Sequence, residues 1–335
     1  MPVAIIGAGP CGLAVAIALT QSGIPSVVFD RSCVCSSIVS YPTYMTFFST
    51  AERLEVGGMP FPLAAEKPTR RDALAYYRAC VMHFGLTVRQ YEAVEQVEND
   101  GDGFVVHSRP RGGELFATQA RALVVATGYF GTPNALGVPG EDLPHVTHLY
   151  REGHEAFQRN AVVVGGGNSA VESALDLWRC GAKVTLVHFG ETFDKNIKPW
   201  VLPDFENRVK DGSINVRWNA RVQAITPVSL RLETPDGRVE LPSDHVYLMT
   251  GFTPQPGLLA SLGVTFDDRT GVPAHDPGTM ETPVRGVFVA GVLTAGFDAN
   301  KIFIENGRGH GEKIAARIRA SVAGPDRPAA RASVP

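Results

Sequence analysis

The sequence lacks most features that mark secreted or membrane proteins. Its 335 residues include only five cysteines, and so odd and sparse a set argues against a disulfide framework and favours a reducing compartment. No apolar run approaches the roughly 20 residues needed to cross a bilayer. No basic segment with a cleavage site precedes the first apolar run at residues 3–6, so we expect no signal peptide. These absences predict a cytoplasmic protein without a membrane partner.

An excess of charge of either sign is also missing. The formal net charge is −3, and 19% of the residues are charged against 44% that are hydrophobic. This is the composition of an ordinary globular protein, and it gives no electrostatic reason to expect nucleic acid as a partner. The length allows two domains of ordinary size. We identify no metal-binding motif.

Two stretches of the sequence share one pattern. An apolar strand at residues 3–6 runs into a glycine turn at 7–12 and then into a small apolar helix. The pattern returns with a strand at 161–164 and a glycine turn at 165–170. Strand, glycine turn, helix and strand form the dinucleotide-binding unit of Rossmann-like folds. The sequence therefore predicts an α/β protein with two such domains.

The first glycine turn has the spacing of a pyrophosphate site. Gly7 permits the tight bend, Gly9 lets the backbone approach the pyrophosphate, and Gly12 lets helix and strand pack closely. The anion then lies against the free N–H groups and the positive dipole of the helix start. Asp30 ends the next strand and is positioned to bind a ribose. The alternative is an ordinary glycine turn that opens a buried helix.

The second turn has Gly165, Gly167 and Ala170 at the three glycine positions, and alanine is tolerated at the third. Asn168 and Ser169 lie between them and belong to the same candidate nucleotide site.

The strand after the second helix ends without the carboxylate that binds the ribose diol in NAD enzymes. His188 stands there instead, with Lys195 and Lys198 just beyond. These side chains are candidates for binding a 2′-phosphate, which favours NADPH over NADH. Two alternatives stay open: Glu191 supplies the ribose acid, or the lysines only face solvent.

Three further stretches resemble the two-dinucleotide-binding flavoproteins, namely residues 124–128, 250–254 and 286–291. The resemblance implies two three-layer ββα Rossmann-like domains, with an NADPH domain inserted into an FAD domain. It implies that the first turn binds FAD and the second binds NADPH. It also implies flavin contacts from Thr127, Gly128 and Gly291.

The domain boundaries follow from this arrangement. We expect residues 1–140 and 245–322 to form the FAD domain and residues 141–244 to form the NADPH domain. Residues 323–335 are rich in proline, alanine and arginine, and we expect a disordered tail there.

One family resembles the chain over almost its whole length, the bacillithiol-disulfide reductases, which are relatives of the thioredoxin reductases. The segments that carry the resemblance are residues 9–12, 41–50, 67–70, 165–170 and 302–308. It implies NADPH-driven reduction of the disulfide of a small thiol, bacillithiol, in the bacterial cytosol. Relatives are usually dimers or tetramers, so the resemblance also implies a homo-oligomer.

The same resemblance implies further flavin contacts. Met45 and Phe48 border the flavin, unless the segment around them is a core loop. Asn300, Lys301 and Ile302 open a helix whose dipole faces the flavin and stabilises its anionic reduced form, unless this is an ordinary capped helix. His310 faces either the substrate or solvent.

Two departures from better-known relatives are informative. Thioredoxin reductases carry a redox CxxC before the second glycine turn, whereas residues 145–151 here contain no cysteine, so their dithiol relay is excluded. The second flavin fingerprint normally has an aspartate after its glycine, whereas this chain has Val292.

Cys11 is the leading candidate for a redox thiol. A low-potential thiolate is the usual intermediate between reduced flavin and a disulfide, and the resembling family carries a cysteine in this turn. A helix N-terminus lowers the pKa of a thiol, but a bound pyrophosphate acts in the opposite direction. The alternative is a small packing residue. Cys33 and Cys35 lack CxxC spacing and are weaker candidates.

Two other activities remain open from the sequence. A ferredoxin or flavodoxin–NADP reductase of the thioredoxin-reductase-like type also lacks CxxC, but it needs a basic docking patch that the sequence does not show. A flavin monooxygenase resembles the chain locally at residues 129–133 and 138–140, but its FxGxxxHxxxY fingerprint is missing.

Overall fold

The structure is a computed structural model that describes residues 1–193, 197–254 and 256–323. The strands in chain order are β1 (Val3–Ile6), β2 (Ser26–Asp30), β3 (Val88–Gln90), β4 (Glu92–Asn99), β5 (Phe104–Pro110), β6 (Phe116–Ala120), β7 (Ala122–Val125), β8 (Val146–Thr147), β9 (Asn160–Val164), β10 (Lys183–Val187), β11 (Ile214–Arg217), β12 (Arg221–Ile225), β13 (Ser229–Thr234), β14 (Gly237–Pro242), β15 (His245–Leu248) and β16 (Val287–Val289).

The α-helices are α1 (Pro10–Gln21), α2 (Ser36–Val39), α3 (Ala51–Leu54), α4 (Arg70–His83), α5 (Asn168–Arg179), α6 (Leu202–Lys210), α7 (Gly257–Ser261), α8 (Ile304–Gly307) and α9 (His310–Ala323). Within the described ranges, no helix is both long and apolar enough to cross a membrane.

The chain divides into two compact units. The first comprises Met1–Val39, Thr46–Gly131 and the chain from Pro254 onward, and the second comprises Ser40–Met45 and Thr132–Thr253. The first limit lies at 131/132, compared with the expected 140/141. The second lies at 253/254, compared with the expected 244/245, because β15 pairs in parallel with β9 inside the sheet of the second unit. The expectation of a disordered tail falls mostly on residues 324–335, which lie outside the described residues.

The first unit is built on a parallel sheet of strand order β16-β7-β1-β2-β3. Alternate residues of β1 face opposite sides: Val3 and Ile5 join a core with α1 and α9, whereas Ala4 and Ile6 join a core with the antiparallel sheet β4-β5-β6. A strand buried on both faces needs an apolar residue at every position, which explains the unbroken apolar run. The layers are therefore helix, parallel sheet and antiparallel sheet.

The second unit repeats this architecture. Its parallel sheet has the order β11-β10-β9-β15-β8. Ala161 and Val163 of β9 pack towards α5, whereas Val162 and Val164 pack towards the antiparallel sheet β12-β13-β14. The predicted fold class, two three-layer ββα Rossmann-like domains, is confirmed.

The short segment Ser40–Met45 belongs to the second unit although it follows α2 of the first. The backbone N–H of Thr43 donates to the carbonyl of Arg151 at 3.0 Å, and the Thr43 hydroxyl donates to Glu152 Oε2 at 3.1 Å. The Asp176 carboxylate accepts hydrogen bonds from the hydroxyls of Tyr44 and Tyr150. The segment is therefore fixed by both backbone and side-chain contacts.

Candidate functional site

Glycine stands at the three positions of the first turn for different structural reasons. A Cβ on Gly7, where φ is +112°, would lie 2.3 Å from the carbonyl oxygen of Ala126, and a Cβ on Gly12 would lie 1.9 Å from the carbonyl oxygen of Gly7. Gly9 has nothing within 4 Å of that position. Gly7 and Gly12 are thus required by the protein's own packing, whereas the open space at Gly9 lets a ligand approach the backbone.

Asp30 stabilises the same turn. Its Oδ2 accepts a hydrogen bond from the backbone N–H of Ala8 at 2.8 Å, and its Oδ1 accepts one from Ser32 N–H at 2.8 Å. An ionised carboxylate has about four acceptor sites, so Asp30 retains capacity for a ribose hydroxyl.

The ends of neighbouring parallel strands bring other predicted residues to this turn. β1 lies between β2 and β7, and β16 pairs with β7. Thr127 and Gly128 follow β7 and Gly291 follows β16, so these residues lie at the same sheet edge as residues 7–12. Gly128 and Gly291 both have positive φ, +77° and +71°, which explains why glycine stands there.

Cys11 lies in the first turn of α1 and fits tightly against two glycines. A Cβ on Gly291 would lie 2.9 Å from Cys11 Cβ, and a Cβ on Gly307 would lie 2.8 Å from its Sγ. Burial of the thiol raises the pKa of Cys11 to about 12. A redox role for Cys11 therefore requires the buried thiol to lose its proton during turnover.

Cys35, the second cysteine of the Cys33–Cys35 pair, is also inaccessible. Cys35 is fully buried with a φ of +55°, and burial, with Asp30 as a second cause, raises the pKa of its thiol well above the usual value.

His310 is buried and hydrogen-bonded to Gly291, the residue that directly follows Ala290 after β16. Its Nδ1 accepts from the backbone N–H of Gly291 at 3.1 Å, and only 7% of the residue is exposed. Burial, with contributions from Lys313 and His275, lowers its pKa from 6.5 to about 4. His310 is therefore a neutral acceptor that holds Gly291 in place, and not a solvent histidine.

This burial predicts a pH-dependent stability. Between pH 6.5 and about 4 the unfolded chain takes up a proton on His310 that the folded chain excludes, so the contribution is complete above 6.5 and is lost as pH falls. The limiting slope for one proton is about 1.4 kcal/mol per pH unit. His310→Asn keeps an acceptor for Gly291 but does not titrate, so its melting temperature should fall less steeply across this window.

The measurement is thermal unfolding at intervals between pH 7 and 4.5, followed by circular dichroism. His83→Asn, which replaces an exposed histidine at the end of α4, is the matched control and should follow the wild type. Parallel curves for His310→Asn and the wild type would contradict the assignment.

Met45 and Phe48 fall in different compact units. Met45 is grouped with the second unit, and Phe48 with the first. Phe48 is exposed, and the ammonium of Lys67 lies 5.3 Å from its ring centroid. Their assignment to the flavin stays a prediction.

The helix expected to open at Asn300–Ile302 begins later. Residues Ala299–Lys301 form a short 3₁₀ turn, and Ile302 has the extended angles φ −127° and ψ 112°. The extended residue interrupts the helical path, and α8 starts only at Ile304. The helix N-terminus nearest this segment is therefore that of α8.

The segment around α8 is held by an ion pair and by hydrogen bonds to α3 and its flanking residues. The Glu305 carboxylate accepts from the Ser49 hydroxyl and forms an ion pair with Arg53 at 3.0 Å. Arg308 Nη1 donates to the carbonyls of Glu52 and Glu55, at 2.8 and 2.6 Å. These contacts lower the pKa of Glu305, with the Ser49 hydrogen bond as the main cause.

The second glycine turn repeats the packing logic of the first. At Gly165, where φ is +150°, a Cβ would lie 2.4 Å from the carbonyl oxygen of Met249 and 3.2 Å from Ala170 Cβ. Gly167 is the N-cap of α5, Ala170 is fully buried and Ser169 is exposed. The small third residue therefore serves close helix–strand packing, as the spacing predicts.

His188 lies beneath this turn and not on the surface. His188 is only 4% exposed, and a Cβ on Gly166 would lie 2.1 Å from the Cε1 atom of its ring. Nδ1 of His188 is buried and has no hydrogen-bond partner among the described residues. The His188 side chain is therefore closed to a 2′-phosphate, which differs from the expectation. It is buried because Gly166 and Gly190 have no Cβ atoms and so leave space for its ring.

Asn168 and Lys198 lie together at the start of α5. The Asn168 Oδ1 accepts from the backbone N–H of Lys198 at 2.8 Å, and the Lys198 ammonium pairs with Glu172 at 2.7 Å. Lys195 lies outside the described residues. The spacing of the motifs does not identify two arginines near the end of β10, namely Arg217, the last residue of β11, and Arg221, the first residue of β12. The only sequence signal for them is a basic residue at the end of a predicted strand.

Each unit has a glycine turn at a helix start, and the open backbone position at Gly9 fits the close approach of a dinucleotide pyrophosphate. Two such turns in one chain are the arrangement of oxidoreductases that pass electrons between two dinucleotide cofactors. The model of the pyridine nucleotide-disulphide oxidoreductase family matches residues 4–291, and the chain belongs to that family. It is a flavoprotein disulfide reductase.

Similar proteins narrow the family further. The chain is 44% identical over 316 residues to bacilliredoxin reductase Bdr of Bacillus subtilis, covering 94% of this chain and 96% of that protein. It is similar to the solved bacillithiol disulfide reductase Bdr (YpdA) of Bacillus cereus, with TM-score 0.93, 43% identity and coverage of 96% and 99%. The Staphylococcus aureus counterpart gives TM-score 0.89, 37% identity and coverage of 96% and 98%. The predicted family resemblance is confirmed.

Proposed function

We propose that this protein uses NADPH and FAD to reduce bacillithiol disulfide in the cytoplasm. The observation that carries the proposal is the 44% identity, over nearly the full length, to a bacilliredoxin reductase. The net reaction oxidises one NADPH, consumes one proton and cleaves one S–S bond to give two thiols.

The chain's own residues have distinct parts in this proposal. In the first unit, Gly9 and the N–H groups of the α1 start receive the FAD pyrophosphate, and Asp30 binds its ribose. In the second unit, Gly167 and Asn168 begin the helix that receives the NADPH pyrophosphate. When bound, the flavin supplies a two-electron relay between nicotinamide and disulfide. Cys11 is the candidate redox thiol between the flavin and the disulfide.

The absence of a CxxC sequence supports a small disulfide as the substrate. Residues 145–151 contain no cysteine, so the dithiol that thioredoxin reductases use to reach a protein substrate is missing. We further propose a homo-oligomer, either a dimer or a tetramer.

NADPH oxidation with a panel of acceptors tests the substrate. Bacillithiol disulfide should give kcat/KM at least about tenfold above glutathione disulfide and cystine, and well above ferredoxin and oxygen. The same enzyme preparation should be yellow and should bleach anaerobically on addition of NADPH. A ferredoxin rate that exceeds the bacillithiol disulfide rate would instead assign an electron-transferring reductase.

A further inference from the structure

The end of β10 is the place where a Rossmann-like unit meets the adenosine ribose of its nucleotide. NAD enzymes carry a carboxylate there, and NADP enzymes accommodate a 2′-phosphate with a nearby arginine. This chain has no carboxylate at the position, because β10 runs from Val187 into His188 and Phe189. Residues 188–193 also contain no arginine or lysine, so they supply no permanent positive charge at this edge.

The chain after β11 wraps around this strand end through three backbone hydrogen bonds. His188 N–H donates to the Arg217 carbonyl at 2.9 Å, and Ala220 N–H donates to the His188 carbonyl at 3.0 Å. Asn219 N–H donates to the Gly190 carbonyl at 3.0 Å. Residues 217–220 are thereby held alongside the end of β10.

Arg221 follows directly and stacks on the exposed face of this edge. Its guanidinium carbon lies 5.1 Å from the ring centroid of Phe189, which is 60% exposed. Guanidinium groups stack well on aromatic faces and keep their planar fork of donors free for a phosphate. Phe189 therefore sets the orientation of the Arg221 donors.

The charges around the two arginines leave them available. Neither Arg217 nor Arg221 forms an ion pair with a carboxylate of the described residues. Glu233 is opposite Arg221 in the β12–β13 register, but its Oε2 accepts from Gln223 at 2.8 Å. By contrast, Lys198 is already paired with Glu172.

We propose that Arg221, supported by Arg217, binds the 2′-phosphate of NADPH and so selects against NADH. The proposal rests on the proposed use of NADPH. It assigns the binding of that phosphate to Arg221 in place of His188, which is buried. Arg221 contributes a bidentate donor pair oriented by Phe189, and Arg217 adds a second positive charge from the end of the neighbouring strand.

Binding of adenosine 2′,5′-bisphosphate and of 5′-AMP to the FAD-loaded enzyme, measured by calorimetry, isolates this phosphate because the two ligands differ only there. Arg221→Gln should weaken the bisphosphate by about 10- to 100-fold, as expected for a lost charge-assisted contact, and leave 5′-AMP unchanged. The KM for NADPH should rise in parallel with little change in kcat, while kcat/KM for NADH should stay constant. Arg221→Lys should be intermediate.

Controls separate a phosphate contact from a structural role. Arg231→Gln removes an exposed arginine of β13 that lies 4.0 Å from Glu240, and it should bind both ligands like the wild type. Arg217→Gln should weaken binding of the bisphosphate less than Arg221→Gln does. Three results would overturn the proposal. In Arg221→Gln, the affinities for both ligands fall equally, or neither affinity falls. Alternatively, the wild type binds both ligands with equal affinity. A wild type that prefers the bisphosphate but does not turn over bacillithiol disulfide would instead refute the proposed substrate.

Discussion

Replacing Gly9 with valine should give a folded protein that purifies without its yellow cofactor. No atom lies within 4 Å of a Cβ at this position, and Gly9 has φ −73° and ψ 173°, which valine adopts without strain. The side chain would nevertheless occupy the space through which a pyrophosphate reaches the backbone. We expect flavin affinity to fall at least about 100-fold, equivalent to about 3 kcal/mol, measured by flavin absorbance and by titration of the stripped protein.

Two matched glycine variants show whether this effect is specific. Gly257→Val, at another position with nothing within 4 Å of a Cβ, should retain the flavin. Gly12→Ala should instead damage the fold, because its methyl group would lie 1.9 Å from the Gly7 carbonyl oxygen. The stability of Gly9→Val must be compared with flavin-free wild type, since a bound ligand stabilises the folded state. A Gly9→Val protein with a full complement of flavin would contradict the assignment of this turn.

Replacing Cys11 with serine should abolish disulfide turnover and preserve flavin reduction. A relay thiolate is required only after the flavin has been reduced, so turnover with bacillithiol disulfide should fall at least about 100-fold. Reduction of ferricyanide, an acceptor that needs no thiol, should remain within about twofold. Because burial raises the pKa of Cys11 to about 12, a relay at this position also predicts that wild-type turnover increases with pH.

The comparison for this variant is Cys180→Ser, which replaces a partly buried cysteine at the end of α5 and should leave both activities intact. Undiminished disulfide turnover in Cys11→Ser would remove the redox role. Cys11 would then be a small packing residue that fits closely against Gly291 and Gly307.

The glycine turns were predictable because their causes are local. A bend with φ of +112° at Gly7 and a close helix–strand approach at Gly12 each demand a glycine at a fixed spacing from a buried strand. The double occurrence of this pattern was enough to predict both Rossmann-like units, whereas their three layers were implied by the family resemblance.

The features that escaped prediction depend on tertiary contacts and backbone angles that the spacing of the motifs does not encode. The burial of His188 requires that Gly166 and Gly190 carry no Cβ, which no strand pattern reveals. The later start of α8 depends on one extended residue, Ile302. The position of Arg221 beside β10 arises from backbone pairing between segments that are about 30 residues apart in sequence, beyond the roughly 11 to 18 residues that a periodicity window reads.

The grouping of Ser40–Met45 with the second unit has a practical consequence for dissecting the molecule. A gene fragment that encodes only residues 132–253 would omit Thr43 and Tyr44, leaving the Arg151 carbonyl and one acceptor site of Asp176 without their native donors. Expression of residues 132–253 alone would therefore yield an incomplete second unit. A stand-alone version needs those six amino acids grafted back, by fusion through a designed linker or as a synthetic peptide.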